Sequence, residues 1–259
     1  MKLPIYQIDA FASQPFTGNP AAICPLEQWL PDELMQNIAS ENNLSETAFF
    51  VKNENDFHIR WFTPNKEVDL CGHATLASAY VIFNLLNYQQ PEIKFSSRSG
   101  ILTVSRDGDY LAMDFPTQPP VACEVPHALR QAFKSTPIEC LMSEDYIVVF
   151  EQENDILKAA PDMQALSQLN LRGVAITAKS DKYDFICRFF APRFGIDEDP
   201  VTGSAFTQLI PYWTNKLGKN TFIAKQVSAR GGEVIGEYRG NRVLLKGKAV
   251  KYLEGQIEI

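Results

Sequence analysis

The chain has 259 residues, of which 45% are hydrophobic, and its formal net charge is −7. This composition is typical of a globular protein, and the scattered placement of its 24 Lys and Arg residues predicts no nucleic-acid partner, because phosphate binding needs clustered cations. Pro4 and Asp9 interrupt the start of the chain where a secretory signal would need an apolar run, and no segment reaches the roughly 18 apolar residues of a membrane span. We therefore expect a cytoplasmic protein with no membrane partner.

Short runs rich in β-branched and aromatic residues predict strands, and longer apolar or amphipathic runs predict helices between them. In chain order the predicted elements are strand 5–11, helix 31–42, strands 47–52 and 57–62, helix 74–86, strands 101–105, 111–115, 147–150, 173–177 and 184–190, helix 204–213, and strands 234–238 and 243–246. This order predicts an α+β fold in which a sheet wraps around a central helix, and in which that arrangement is made twice.

Two of the predicted helices carry the strongest signals. Helix 74–86 is apolar nearly all round, which is typical of a helix buried on every side. Helix 204–213 contains Pro211, which we expect to kink or end the first segment of the helix, because proline has no backbone N–H to donate.

The sequence around each of these two helices repeats. An R-aromatic-F-x-P element begins at Arg60 and again at Arg188, 128 positions later. A Gly-polar-Ala element follows each of them, at Gly72 and at Gly203, 131 positions apart. Because both offsets are close to half the chain length, the simplest interpretation is an internal duplication that gives two similar lobes.

The cysteines and histidines show none of the spacings of a known metal site. Five cysteines without a C-x-x-C pair are typical of reduced thiols in the cytosol. The three histidines lie far apart and form no H-E-x-x-H pattern, and there is no glycine-rich loop of the kind that holds a nucleotide. The sequence therefore predicts neither a metal nor a cofactor.

Six short blocks, in order along the chain, carry a resemblance to a known family. They are GNPAA at 18–22, LSETAF at 44–49, FTP at 62–64, CGHAT at 71–75, EDPVTGSA at 198–205 and RGGE at 230–233. With these blocks the chain resembles the PhzF family of phenazine biosynthesis-like isomerases, and within it the phenazine biosynthesis-like domain-containing proteins.

The resemblance implies the diaminopimelate epimerase-like fold, with two pseudo-symmetric lobes, each a sheet around a central helix, and a cofactor-free active site between them. It also implies a homodimer. We expect residues 1–116 to form the first lobe, with a C-terminal strand at about 251–259 returning to it, and residues 117–250 to form the second.

The same resemblance implies the site residues. The catalytic positions map onto Glu46, which would transfer the proton, and onto His73, Asp199 and Ser204. The substrate-binding positions map onto Asn19, Ser45, Gly72 and Gly203. Taken singly, a Ser or Asp beside Gly more often caps a helix or forms a turn. Only the joint placement of these residues in the repeated blocks favours a functional interpretation.

The residues themselves indicate what the repeat could do. A helix that begins with Gly presents unpaired backbone N–H groups and a partial positive charge, so Gly72-His73 and Gly203-Ser204 could together bind a carboxylate or an enolate. Racemases related to this fold use one thiol from each half, but here Cys71 has only hydroxyl residues as counterparts, which are not acidic enough to replace a thiolate.

We therefore predict a cofactor-independent isomerase, in which Glu46 moves a proton between carbons of a small carboxylate substrate. Three alternatives stay open. A non-catalytic carboxylate-binding protein would not need Glu46. A serine hydrolase could use Ser204, His73 and Asp199, although the G-x-S-x-G elbow is missing. A dimeric interaction module would have no polar cleft for a ligand.

Overall fold

The computed structural model describes residues 1–54 and 56–259. The chain divides into two compact units, the first made of residues 1–114 and 246–259 and the second of residues 115–245. Among the described residues, no helix combines the length and the apolar composition that a membrane crossing requires.

The first unit is mostly sheet, with two α-helices. Its elements in chain order are β1 (Lys2–Ala10), β2 (Asn19–Leu26), α1 (Asp32–Asn42), β3 (Glu46–Lys52), β4 (Phe57–Phe62), β5 (Glu67–Val68), α2 (Gly72–Tyr80), β6 (Glu92–Ser97), β7 (Gly100–Asp107) and β8 (Tyr110–Pro116).

The second unit follows, and the chain then ends in one further strand. The elements are β9 (Val121–Ala122), α3 (His127–Ala132), β10 (Glu139–Met142), β11 (Tyr146–Val149), α4 (Glu153–Leu157), α5 (Met163–Ser167), β12 (Val174–Lys179), β13 (Phe185–Ala191), β14 (Ile196–Asp199), α6 (Gly203–Leu217), β15 (Thr221–Gln226), β16 (Gly232–Tyr238), β17 (Arg242–Gly247) and β18 (Ala249–Glu258). Strand β18 pairs with β1 in antiparallel register, from Ala249 opposite Ala10 to Glu258 opposite Lys2.

Both units use the same strand pairing. In the first, β2 lies parallel to β3, β3 antiparallel to β4, and β4 pairs with β5 antiparallel and with β6 in parallel. In the second, β11 lies parallel to β12, β12 antiparallel to β13, and β13 pairs with β14 antiparallel and with β15 in parallel. A helix that begins with Gly follows the short hairpin strand in each unit. The predicted α+β fold class, with one arrangement made twice, is confirmed.

The duplicated arginines make the same contact in each unit. Arg60 on β4 binds both carboxylate oxygens of Glu67 on β5, at 2.7 and 2.8 Å. Arg188 on β13 binds both oxygens of Glu198 on β14, at 2.7 and 3.0 Å. Such a two-pronged pair fixes the hairpin that leads into the following helix, because it holds two strands in one geometry.

Helix α2 is buried along almost its whole length, from His73 to Ala79. Its small residues allow a close approach to the strands, and its Thr and Ser hydroxyl groups bond to backbone carbonyls one turn earlier. Thr75 donates to the carbonyl oxygen of Cys71 at 2.6 Å, and Ser78 donates to that of Ala74 at 2.8 Å. The predicted helix 74–86 therefore exists but begins earlier, and its last turn, Val81–Leu85, is a π-helix.

Pro211 was predicted to kink or end the first segment of the helix. The segment does not end there, because α6 is one helix from Gly203 to Leu217 with Pro211 inside it. In a regular helix the residue at position 211 would donate its N–H to the carbonyl of Thr207. Here the backbone N–H of Gln118 donates to that carbonyl at 3.0 Å instead. The helix tolerates the proline because the acceptor that proline leaves unpaired has another donor.

Candidate active site

Three polar side chains of the first unit converge at the start of three elements. Asn19 is the first residue of β2, Glu46 is the first residue of β3, and His73 is the second residue of α2. Because β2 and β3 are parallel neighbours, with Ala21 opposite Glu46, both strands begin at the same edge of the sheet. Asn19 and Glu46 therefore lie near the first turn of the helix.

The imidazole of His73 lies between the other two side chains. Its Nδ1 is 3.3 Å from the amide nitrogen of Asn19, and its Nε2 is 3.0 Å from Oε2 of Glu46. Only 7% of the His73 side chain and 12% of the Glu46 side chain are exposed. When the neutral ring accepts from Asn19 at Nδ1, its proton is on Nε2 and faces the carboxylate.

The surroundings of His73 favour its charged form. Burial alone would lower the pKa of His73, but its contacts with Cys71 and Glu46 raise that pKa well above the ordinary value. Burial and the charge of Glu46 raise the pKa of the Cys71 thiol to about 11, so this thiol is uncharged at neutral pH. The carboxylate of Glu46 is therefore the negative charge that favours the imidazolium.

Asn19 is suited to both states of the ring. Its amide nitrogen donates to Nδ1 of a neutral imidazole in the arrangement observed. An imidazolium carries a proton on Nδ1 as well, and turning the amide over would present its oxygen to that proton.

Glu46 keeps the capacity to accept a proton. Its Oε2 is shielded from solvent and forms no well-aligned hydrogen bond with the described residues. Nε2 of His73 lies 3.0 Å from this oxygen, as an ion pair when the ring is protonated. A buried carboxylate oxygen with an uncommitted lone pair is the feature that a general base requires.

Cys71 lies against the ring of His73 but is poorly placed to share a metal ion with it. Glu46, Cys71 and His73 have potential ligand atoms within 4.8 Å of one another. The sulfur, however, is 3.5 Å from Nδ1 and 3.9 Å from Nε2. Being almost equidistant from both nitrogens, it lies beside the ring and not along the lone pair of either one, so the geometry does not favour a metal centre.

The equivalent position in the second unit has different chemistry. Cys71 is the residue before α2, and Thr202 is the residue before α6. The hydroxyl of Thr202 donates to the carboxylate of Asp199, whose backbone oxygen accepts a hydrogen bond from Gln226 at 2.7 Å. Gln226 also accepts from the backbone N–H of Thr202 at 2.9 Å. The buried Gln226, which belongs to no motif in the sequence, thus fixes the start of α6.

The remaining predicted residues adjoin these groups. Ser45 directly precedes β3 and is half-buried, and Gly72 is the first residue of α2. In the second unit Gly203 is the first residue of α6, and the half-buried Ser204 is the next. The structure therefore brings together Asn19, Glu46 and His73, and separately places Asp199 beside the first turn of α6.

Gly18 positions Asn19. Its φ angle is +68°, and a Cβ at this position would overlap the carbonyl oxygen of Ala10 and lie 2.9 Å from Cβ of Ala12. Only glycine fits a backbone with this angle at such a close approach. This explains why the block that contains Asn19 begins with a glycine, which the sequence alone left without a physical reason.

A family model described as phenazine biosynthesis-like protein, PhzC-PhzF, matches residues 8–255. The chain belongs to the PhzC-PhzF family. The predicted family is thereby confirmed, and the match extends over both units.

Individual members of the PhzC-PhzF family are similar over the whole chain. An uncharacterized isomerase of Pseudomonas aeruginosa is 51% identical over 100% of both chains. A phenazine biosynthesis-like domain-containing protein of Bos taurus is 39% identical over 99% of each chain. The crystal structure of a PhzF-family phenazine biosynthesis protein from Enterococcus faecalis has a TM-score of 0.98, with 44% identity over 100% of both chains.

One more distant likeness concerns the fold alone. A hydroxyproline epimerase from Agrobacterium vitis has a TM-score of 0.62 at 9% identity, and the alignment covers 99% of this chain and 92% of that one. The PhzC-PhzF chain therefore has the epimerase-like fold that the family resemblance implied.

Proposed function

We propose that this protein is a cofactor-independent isomerase, in which Glu46 moves a proton between two carbons of a small carboxylate-bearing metabolite. The observation that carries the proposal is the buried Glu46–His73 pair, with Oε2 and Nε2 3.0 Å apart. Family membership and the relatives that bear the name isomerase support the reaction class.

The proposed chemistry follows from the acidity of carbon. A C–H bond is a weak acid, so its proton moves only if a base is held against it and the developing negative charge is stabilised. Glu46 is the base, and the positive ring of His73 supplies a charge next to it. The backbone N–H groups of the first turn of α2 add a partial positive charge on the same side.

A single carboxylate can take a proton from one carbon and return it to another on the same face of the substrate. That outcome is an isomerisation, whereas racemisation needs a second group on the opposite face. The place that corresponds to Cys71 in the second unit is occupied by Thr202, whose hydroxyl is already bonded to Asp199. This arrangement does not favour a two-thiol racemase.

The serine-hydrolase alternative is also disfavoured by the contacts of His73. A triad histidine needs one ring nitrogen for the serine hydroxyl and the other for an acidic partner. Here Asn19 is close to Nδ1, and Glu46 is close to Nε2. We assign Gly203 and Ser204 instead to binding the carboxylate of the substrate, because the first turn of a helix offers N–H donors to an anion.

Proton exchange with solvent tests the proposal before the physiological substrate is known. Small unsaturated carboxylates are incubated with the enzyme in D2O, and NMR records deuterium entering at carbon or a shifted double bond. Glu46→Gln should lower the rate about 10²–10⁴-fold, the usual contribution of general acid–base catalysis. Glu41→Gln, a change on the exposed face of α1, is the matched control and should leave the rate unchanged.

Two outcomes would overturn the proposal. Equal exchange rates for wild type and Glu46→Gln would assign the proton to another group. Tight binding of a carboxylate by both proteins, with no exchange in either, would instead identify a non-catalytic binding protein. A higher KM for Ser204→Ala, at little changed kcat, would support its role in holding the carboxylate.

A further inference from the structure

We infer that Cys123 and Cys140 form a redox-active dithiol that hydrogen peroxide converts to an intrachain disulfide. Their sulfur atoms are 3.5 Å apart, and both residues belong to the second unit. The pair is independent of the Glu46–His73 site, and no function was assigned to it from the sequence.

The backbone places these two residues directly opposite each other. Strands β9 and β10 are antiparallel, with Val121 opposite Met142 and Ala122 opposite Leu141. One step further along the same register brings Cys123 opposite Cys140, and the N–H of Cys123 donates to the carbonyl of Cys140 at 3.0 Å. Hydrogen-bonded antiparallel partners have Cα atoms about 5.5 Å apart, which lies within the usual range for a disulfide.

The two thiols differ in access to solvent. Cys123 is half-buried, whereas Cys140 is only 5% exposed. Burial, together with the neighbouring Cys123, raises the pKa of Cys140 to about 12, so Cys140 is a poor first nucleophile. An oxidant from solvent therefore meets Cys123 first, and Cys140 acts as the thiol that resolves the product.

Hydrogen peroxide is the oxidant that accepts the two electrons released when the disulfide forms. Cys123 loses its proton, and its sulfur attacks one oxygen of hydrogen peroxide. The O–O bond breaks, hydroxide departs as the leaving group, and Cys123 becomes a sulfenic acid. The sulfur of Cys140 then attacks the sulfenic sulfur, its proton passes to the departing hydroxyl, and water leaves as the S–S bond forms. Two electrons pass from the two thiols to peroxide, which ends as two molecules of water.

The remaining cysteines are poor competitors for this reaction. Cys24 and Cys187 are buried, and burial raises the pKa of Cys24 to about 12 and also raises that of Cys187. Cys71 is also buried and uncharged at neutral pH. A mild dose of peroxide should therefore modify one pair of the five thiols.

The test counts thiols in the purified full-length protein. After brief peroxide treatment and quenching with catalase, the protein is denatured, alkylated and weighed by mass spectrometry. The reduced protein should take up five alkyl groups and the treated protein three, with a peptide that links Cys123 to Cys140. The disulfide should also raise the Tm by at least about 5 °C, and dithiothreitol should reverse both changes.

Three variants make the result specific. Cys140→Ser should stop at the sulfenic acid of Cys123, which dimedone captures. Cys123→Ser should keep all four of its thiols, and Cys187→Ser should still form the disulfide. Five alkylated thiols in the treated wild type would overturn the inference, as would irreversible oxidation of Cys123 without a cross-link or a cross-link between two chains.

Discussion

Asn19 and His73 are 54 positions apart in the chain, yet the amide nitrogen of Asn19 lies 3.3 Å from Nδ1 of His73. This contact orients the ring, because it leaves Nε2 directed to Glu46. A hydrogen bond from a neighbouring side chain is a common way to fix the orientation of a functional histidine.

We expect Asn19→Ala to lower kcat about tenfold, with a smaller change in KM, because a misoriented ring stabilises the developing charge less well. Tenfold corresponds to about 1.4 kcal/mol, which is the size of one good hydrogen bond. Asn42→Ala is the matched control, since it removes a 3.0 Å bond to Thr47 in the same unit. Steady-state kinetics of both variants measure the effect, and an equal change in kcat for Asn19→Ala and Asn42→Ala would contradict the prediction.

Stability should depend on pH through His73. A cation whose pKa is raised by folding stabilises the folded protein fully below the pKa of the unfolded chain, about 6.5, and loses that effect as the pH rises through the folded pKa. The free energy of unfolding of wild type relative to His73→Gln should therefore decrease as the pH rises above about 6.5. Urea unfolding at several pH values measures this difference in the free energy of unfolding. The same difference for Glu46→Gln should depend less on pH, because that variant lacks the negative charge next to His73. A constant difference across the range would refute the raised pKa.

Gly18→Ala should destabilise the protein strongly. The new Cβ would need both a strained φ and space that the carbonyl oxygen of Ala10 occupies. Gly240→Ala is a matched control, because Gly240 has a similar φ of +76° and nothing within 4 Å of the added Cβ. Gly240→Ala should lower the free energy of unfolding by about 1–2 kcal/mol because of the strained φ. Gly18→Ala should lower it by about 1–3 kcal/mol more, because its Cβ also overlaps neighbouring atoms. Equal losses in denaturant unfolding would show that the backbone relaxes freely around position 18.

The helix through Pro211 should depend on the backbone of Gln118. Gln118→Pro removes the N–H that reaches the carbonyl of Thr207 and leaves that buried acceptor unpaired, so we expect a loss of about 1–3 kcal/mol. Gln118→Ala keeps the N–H and removes only the 3.2 Å contact between its side chain and the hydroxyl of Thr207. In thermal unfolding, Gln118→Pro should therefore have a lower Tm than Gln118→Ala. Similar Tm values for the two variants would contradict a stabilising role for the N–H of Gln118.

The sequence was a good guide where one block of residues sets its own local geometry. Gly72 and Gly203 both begin helices, as the repeat indicated, and Arg60 and Arg188 lie on equivalent strands. The glutamates that these arginines bind were not predicted, because Glu67 and Glu198 lie at different distances from their arginines and share no motif.

Contacts between distant segments were beyond the sequence. That the helix continues through Pro211 could not be predicted, because the donor that compensates for the proline is 89 positions away from Thr207. The register that places Cys123 opposite Cys140 left no trace in their spacing. Catalytic roles for Asp199 and Ser204 stay predictions. The carboxylate of Asp199 accepts a hydrogen bond from the hydroxyl of Thr202.

The pairing of β18 with β1 has a consequence for synthesis of the chain. A ribosome delivers β1 before β18, so β1 waits without this neighbour while residues 11–248 are made. The second unit is continuous in sequence, and all of its residues emerge before β18 does. On the ribosome, the first unit should therefore complete its sheet after the second, with the edge of β1 exposed to other strands or to chaperones in the meantime.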